Sequence, residues 1–253
     1  MKFLATAISC LALVACLKAD DHSSSISPYA SPVASSDLAT LGEKGFTPLL
    51  AGDSLEGWVK RGGPEAEFAV KDGIVTGSAR NMRYNSFLCS EKTYGDFIFA
   101  FQMKFDDLKG NSGCMFRAQQ RPDEDGKPGR VFGYQCEHDN TKRSWTAGLF
   151  DEARRGWLFP KKQVDKNKVV PELEGLRTIF TAQGQRIFKE TEWNTIVIKC
   201  QGAHVQIWLN DELRVDYKEA DPNIAGKAGF FGLQVHSGKS CNVRWKNLFI
   251  KEL

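Results

Sequence analysis

The 253-residue chain lacks an excess of either charge: 34 basic residues face 31 acidic ones, for a net charge of +3. A dedicated nucleic-acid binder concentrates positive charge to engage phosphates, so nucleic acid is not an expected partner. It has no long hydrophobic run, and the apolar stretch at residues 3–15 is too short to span a bilayer. Its seven cysteines include no CxxC pair, which argues against a structural zinc site. There is no internal repeat and no convincing long amphipathic helix. Hydrophobic residues make up 42% and charged residues 26%, ordinary globular values that exclude wholesale disorder. What is abundant is glycine (23) and aromatics, with 17 Phe and 6 Trp, a mix that favours strands and tight turns.

The N-terminus reads as an export signal, with Lys2 ahead of the apolar run. It ends in Leu13-Val14-Ala15-Cys16, which resembles the lipobox of bacterial lipoproteins; Cys16 is then the lipidation site. The alternative is an ordinary cleaved signal. Residues 1–15 are the signal, 16–44 a flexible Ser/Ala/Pro-rich tether, and 45–253 the folded domain, beginning near Phe46. The expected location is the periplasm or cell surface as a lipoprotein, otherwise secreted, and membrane contact is through the lipid alone. The five cysteines in the domain are an odd count, which means at least one free thiol or an intermolecular bond, and buried Cys acting as small hydrophobes is the default.

Strand signals dominate the domain. Phe97, Phe99, Phe101, Met103 and Phe105 alternate with Ile98, Ala100, Gln102 and Lys104, a period of two with one strongly apolar face. Phe68 to Lys71 and Ile74 to Gly77 flank the turn Asp72-Gly73. Residues 195–199 and 204–209 are two more strands, 213–217 returns after Asn210-Asp211, and 229–236 and 242–251 close the chain. The predicted fold is all-β, a two-sheet antiparallel β-sandwich or jelly roll. Residues 160–177 form an insertion of mixed character.

In such a sandwich one face of each strand is solvent-side. Alternation puts Cys114, Phe116, Tyr134, Cys136, Phe231, Leu233 and Val235 inward. It puts Asn111, Gly113, Met115 and Arg117, then Gln135 and Glu137, then Gly232, Gln234 and His236 outward, with Gln102 and Lys104 on the polar face of their own strand. If these strands are neighbours, their outward faces form one polar surface suited to sugar hydroxyls, with glycines leaving room for a ligand.

From Phe46-Thr47-Pro48-Leu49-Leu50-Ala51-Gly52-Asp53-Ser54-Leu55-Glu56-Gly57-Trp58 onward the sequence resembles the 3-keto-disaccharide hydrolase family. Tyr94-Gly95-Asp96-Phe97, Asn111-Ser112-Gly113 with Arg117, Trp193-Asn194, the run Gly232 to Gly238, and Arg244 to Leu248 continue the match in order. Gly133-Tyr134-Gln135-Cys136-Glu137 and Gly148-Leu149-Phe150-Asp151-Glu152 resemble a subgroup pattern G-Y-Q-x-E … G-x-L-Y-D-E. Ala51 stands where Asn is usual, Phe150 replaces Tyr, and Gln102 stands where many relatives carry Glu, which removes a base or ligand there.

The resemblance implies a concanavalin A-like lectin/glucanase sandwich and cleavage of glycosides already oxidised to a ketone at sugar carbon 3. The ketone acidifies the carbon 2 hydrogen. A base removes it, the enolate expels the carbon 1 group, and water addition gives net hydrolysis. The route needs a base titrating near working pH, a donor for the enolate oxygen, and an acid for the leaving group. His236 is the first candidate base and Glu137 the second. Arg117 and Lys104 are candidates for the enolate. Asn111, Gln135, Gln234 and Gln102 are candidates for hydroxyls, and Asp151, Glu152 and Arg155 for a rim loop. The resemblance also implies one divalent metal ion, with Glu137 and His236 as candidate ligands, His138 and Asp139 behind them, and no organic cofactor. His138 has the opposite parity to Glu137 and reads as packing. The implied partners are a glycoside substrate and an upstream sugar 3-oxidoreductase. The competing reading is a non-catalytic carbohydrate-binding module of the same fold.

Overall fold

Alternation along Phe97–Phe105 decides where the core lies. In the computed structural model, which describes residues 29–125, 129–161 and 171–253, every odd-numbered side chain of this strand is buried between two sheets. The signal and Cys16 lie outside the described residues. The strands are β1 (Thr47–Pro48), β2 (Trp58–Gly62), β3 (Glu67–Lys71), β4 (Ile74–Met82), β5 (Ser86–Ser90), β6 (Phe97–Phe105), β7 (Ser112–Gln120) and β8 (Val131–His138). They continue as β9 (Leu149–Glu152), β10 (Gly156–Phe159), β11 (Asn194–Gln201), β12 (His204–Leu209), β13 (Glu212–Lys218), β14 (Phe230–Val235) and β15 (Gly238–Glu252).

One sheet has eight strands in the order β13-β12-β11-β6-β15-β4-β3, with β1 added on β15. The other has seven, in the order β10-β9-β8-β7-β14-β5-β2. All pairings are antiparallel. The expected two-sheet sandwich is the observed fold. The inner faces meet through aromatic rings: Phe231 of β14 lies 4.3 Å from Phe99 and 4.9 Å from Phe97, centroid to centroid. Truncating a ring of this kind to Ala costs about 3–5 kcal/mol, because the lost transfer energy is joined by a cavity. Cys89, Cys114, Cys136, Cys200 and Cys241 are all free and buried, so they serve as small apolar fillers.

Two expectations are corrected. The tether does not run to residue 44. Ser35–Lys44 forms a 3-10 helix whose Leu38 and Leu41, with Val33 and Phe46, pack on Ala100, Val197 and Trp208 on the outside of the eight-stranded sheet. Burying those side chains compensates for ordering a segment whose composition favours flexibility. The mixed insertion also contains a 17-residue helix, α1 (Pro171–Ile187). It buries only Phe180, Gly184 and Ile187, a stripe too sparse to stand out as amphipathic. Among the described residues no helix is long and apolar enough to cross a membrane.

Candidate active site

The outer face of the seven-stranded sheet is where outward parity gathers polar groups. Register places Glu137 of β8 opposite Gly113 of β7, Gly113 opposite Gln234 of β14, and Gln234 opposite Phe87 of β5. Gly113 has a steric purpose: a Cβ there would come within 2.6 Å of the Gln135 side chain, which lies across it. The result is a chain of amides around one carboxylate. Asn111 Nδ2 donates to Glu137 Oε1 at 2.8 Å and Gln135 Nε2 donates to Glu137 Oε2 at 2.9 Å. Gln234 Nε2 donates to Gln135 Oε1 at 3.0 Å. The Gln234 Oε1 acceptor is buried and has no partner among the described residues.

Glu137 is 5% exposed. Burial pushes its carboxyl up to about 7, against the pull of the Asn111 and Gln135 bonds and of Arg143, and with the Asp139 charge adding to the rise. A carboxyl shifted towards neutrality by burial with specific partners is a candidate functional group.

Arg143 reaches this carboxylate from the turn after β8, its Nη2 3.7 Å from Glu137 Oε1. Its Nε donates to Asp139 Oδ2 at 2.8 Å, and its guanidinium lies 4.7 Å from the Trp145 ring and 4.9 Å from the Trp157 ring. Asp139 is fully buried and also accepts from the Thr141 and Trp145 backbone N–H groups, so the turn is held rigidly. Parity reasoning missed Arg143, Trp145 and Trp157. The signal was the Asp139-x-Thr141 turn, an Asx-type capping of the segment that follows a polar strand end.

Beyond Phe87 the face opens into a cleft of about 330 Å3, which Glu152 of β9 enters from the opposite side. Burial raises the Glu152 carboxyl, with Arg130 and His236 acting against that rise. His236 follows β14 and is half-buried, with Nδ1 2.7 Å from the Ser237 carbonyl. Since a carbonyl only accepts, Nδ1 carries the hydrogen, which leaves Nε2 as the acceptor atom of the neutral ring.

Asn111, Gln135, Glu137 and Gln234 are therefore in direct contact, with Glu152 and His236 on the same face. Five other sequence candidates stand elsewhere. Gln102 and Lys104 lie on the outer face of the eight-stranded sheet, because β6 belongs to that sheet. There Asn247 Nδ2 donates to Gln102, and Lys104 lies 5.4 Å from the Trp193 ring. Arg117 sits at a bulge between Phe116 and Gln119 with a left-handed φ of 47°, which breaks the parity that had pointed it outward. Its guanidinium donates to the Gly95 and Gly202 carbonyls and to Asp96, each at 2.8 Å. Asp151 faces inward, fully buried, and is paired by Arg154 and Arg155. Arg155 also pairs with Glu219, which accepts from the Tyr134 hydroxyl. Both residues tie β8, β9 and the end of β13 together and stand apart from the cleft. His138 packs in the core 5.9 Å from Phe101, and burial pushes its imidazole down to about 4.

The implied divalent metal does not fit these side chains. The Glu137 oxygens accept from two amide N–H groups with a guanidinium beside them, and the Asp139 oxygens accept from three N–H donors. Donors of this kind serve an anion. Among the described residues no cluster of three His, Cys, Asp or Glu is placed to hold a cation.

Residues 45–251 match the model of the 3-keto-alpha-glucoside-1,2-lyase-like domain. The chain belongs to this family. Membership in the 3-keto-α-glucoside-1,2-lyase-like family supports a carbohydrate-related function. No curated protein matches the chain significantly. Among solved structures it is similar to a candidate glycosyl hydrolase from Parabacteroides distasonis, at 18% identity and a TM-score of 0.52, covering 88% of this chain and 99% of that one. It is also similar to a Bacillus subtilis protein of unknown function with a galectin-like fold, at 10% identity and a TM-score of 0.56, covering 82% and 98%. At these identities the likeness shows the shared sandwich fold.

Proposed function

We propose that this chain cleaves glycosides carrying a ketone at carbon 3, by removing the carbon 2 proton and eliminating the carbon 1 substituent. The observation that carries the reading is the Glu137 carboxyl, raised to about 7 and fixed by the Asn111 and Gln135 amides on the outer face of the seven-stranded sheet. Such a group is a base at neutral pH without needing a second, closely opposed carboxylate, as an ordinary glycosidase does.

In this reading Glu137 takes the carbon 2 proton. The bonding pair moves into the carbon 2–carbon 3 bond, and charge develops on the former ketone oxygen. Arg143, pinned by Asp139 and by two indole rings, donates to that oxygen. The enolate then reforms the ketone, a carbon 1–carbon 2 double bond appears, and the carbon 1 oxygen leaves with its electron pair. Glu152, its carboxyl raised by burial against the pull of Arg130 and His236, gives the leaving oxygen a proton. Water then adds to carbon 1 and gives one proton to Glu152, while the proton held by Glu137 returns to carbon 2, which completes net hydrolysis and restores both groups. Gln135 and the unpartnered Gln234 Oε1 hold sugar hydroxyls. His236 was the first-ranked base on sequence grounds; its place near Glu152, with Nδ1 bonded to a backbone carbonyl, suits proton delivery better.

The proposal includes export, with Cys16 as the lipid site, and an upstream enzyme that oxidises the sugar at carbon 3, since the substrate must arrive as a ketone. The test is to incubate the full chain with a chromogenic 3-keto-glucoside and with the matching unoxidised glucoside. Release from the keto substrate alone, lost in Glu137→Gln, is the expected result. No release from either, with the sugar still raising the unfolding temperature, would leave a carbohydrate-binding module instead.

A further inference from the structure

The amide row ends at Gln234, and the next side chain across the sheet, Phe87, also lines the cleft of about 330 Å3. The cleft therefore borders the amide row at Phe87 and contains Glu152, the residue placed at the leaving oxygen. Its walls carry Arg83, Tyr84, Arg130, Glu152 and Ser237. Arg83 forms no ion pair among the described residues; its guanidinium lies 5.8 Å from the ring of Tyr84, which is 40% exposed. Arg130 meets Glu152 only at 3.5 Å, and its side chain is 67% exposed. Glu65, beside Gly63, supplies the other nearby carboxylate at the edge.

Two arginines thus line one concavity with Glu152, held only loosely, and with Glu65 at the edge. Guanidinium stays charged at any working pH and offers a planar fork that matches an anion's oxygens. A concave wall focuses that field and raises the local concentration of an anionic ligand. Neutral sugar hydroxyls would be served as well by the Gln135 and Gln234 amides and would make no use of the charge on Arg83.

We propose that the cleft holds the unit that leaves, and that this unit is an acidic sugar whose anionic group lies between Arg83 and Arg130 with its ring against Tyr84. The inference rests on the reading that a glycoside is cleaved over Glu137, and it adds the substrate class. The anion could be a ring carboxylate or a sulfate ester, which share the same chemistry towards two arginines.

The test uses the full chain and three 3-keto disaccharides with the same keto ring. Their leaving units are glucose, glucuronic acid and glucose 6-sulfate. Charge-assisted bonds of this kind predict that kcat/KM for an acidic leaving unit exceeds that for glucose by roughly tenfold at low salt. The ratio shrinks as salt is raised. In the double variant Arg83→Ala with Arg130→Ala it falls towards one. Whichever acidic substrate leads identifies the anion. Equal handling of neutral and acidic substrates by the wild type overturns the proposal, as does a preference that survives in the double variant. If none of the three is cleaved, the lyase reading fails, and thermal unfolding with the unoxidised disaccharides still reads the cleft. A rise with an acidic disaccharide alone supports anion binding; a rise with both kinds, or with neither, overturns it.

Discussion

The two sheets of this sandwich present outer faces built from much the same residue types, and the faces behave differently. On the eight-stranded sheet Gln102 pairs with Asn247, and Lys104 and Lys246 lie over Trp193 at 5.4 and 4.3 Å. These are partly exposed groups in water, where a cation–ring contact is worth about 0.5–1 kcal/mol. On the seven-stranded sheet Gln135, Glu137 and Gln234 are buried and joined to one another. The difference comes from what stands around them. Gly113 lets Gln135 lie flat, the turn after β8 brings Arg143 over Glu137, and desolvation then tunes the carboxyl. Polar residues on a solvent-side face become a site only when neighbouring elements take water away from them.

The sharpest way to break this comparison is Glu137→Gln. It keeps the shape and one of the two accepted amide bonds but removes the base, and turnover of a 3-keto-glycoside should fall by about 10²–10⁴. A steady-state assay beside a check of folding by circular dichroism reads this directly. Arg117→Ala comes next, as a structural residue that parity had placed on the same face. Losing its three buried bonds should lower stability by about 2–4 kcal/mol in urea titration, while the folded fraction keeps its turnover.

A third effect is pH dependence. The Glu137 carboxyl titrates at about 7 when folded, above its ordinary value near 4.5, so between those values the folded chain holds a proton that the unfolded chain releases. Stability from this group is full below about 4.5 and is lost as pH rises to about 7; Glu137→Gln should remove that slope from a pH series of unfolding free energies. Activity should move the opposite way over this range, rising as the base ionises, and should fall again at higher pH as Glu152 loses the proton it gives to the leaving oxygen. The smallest effect is Lys104→Ala on the other face, with turnover unchanged and stability within about 0.5 kcal/mol of wild type.

Much of the fold was legible because period two is a local property. The strand at Phe97–Phe105, the hairpin at Asp72-Gly73 and the inward set Cys114, Phe116, Tyr134 and Cys136 follow from it. Parity also placed Gln135, Glu137 and Gln234 on one side. It could not say which sheet a strand joins, and so it grouped Gln102 and Lys104 with residues across the molecule. It failed at Arg117 because a bulge adds a residue and flips the alternation. It was silent on Arg143, whose role depends on a turn bringing a distant guanidinium back over the sheet. The ordered 3-10 helix at Ser35–Lys44 was hidden by its Ser- and Ala-rich surroundings, since only Leu38 and Leu41 signal its buried side.

Proton abstraction by Glu137 is open to one direct observation. A 3-keto sugar lacking a leaving group at carbon 1 can be held with the full chain in D2O and followed by proton NMR. The account predicts loss of the carbon 2 proton signal with wild type and its persistence with Glu137→Gln. A carbon 2 signal that the wild type leaves intact, or that Glu137→Gln exchanges at the wild-type rate, would contradict it.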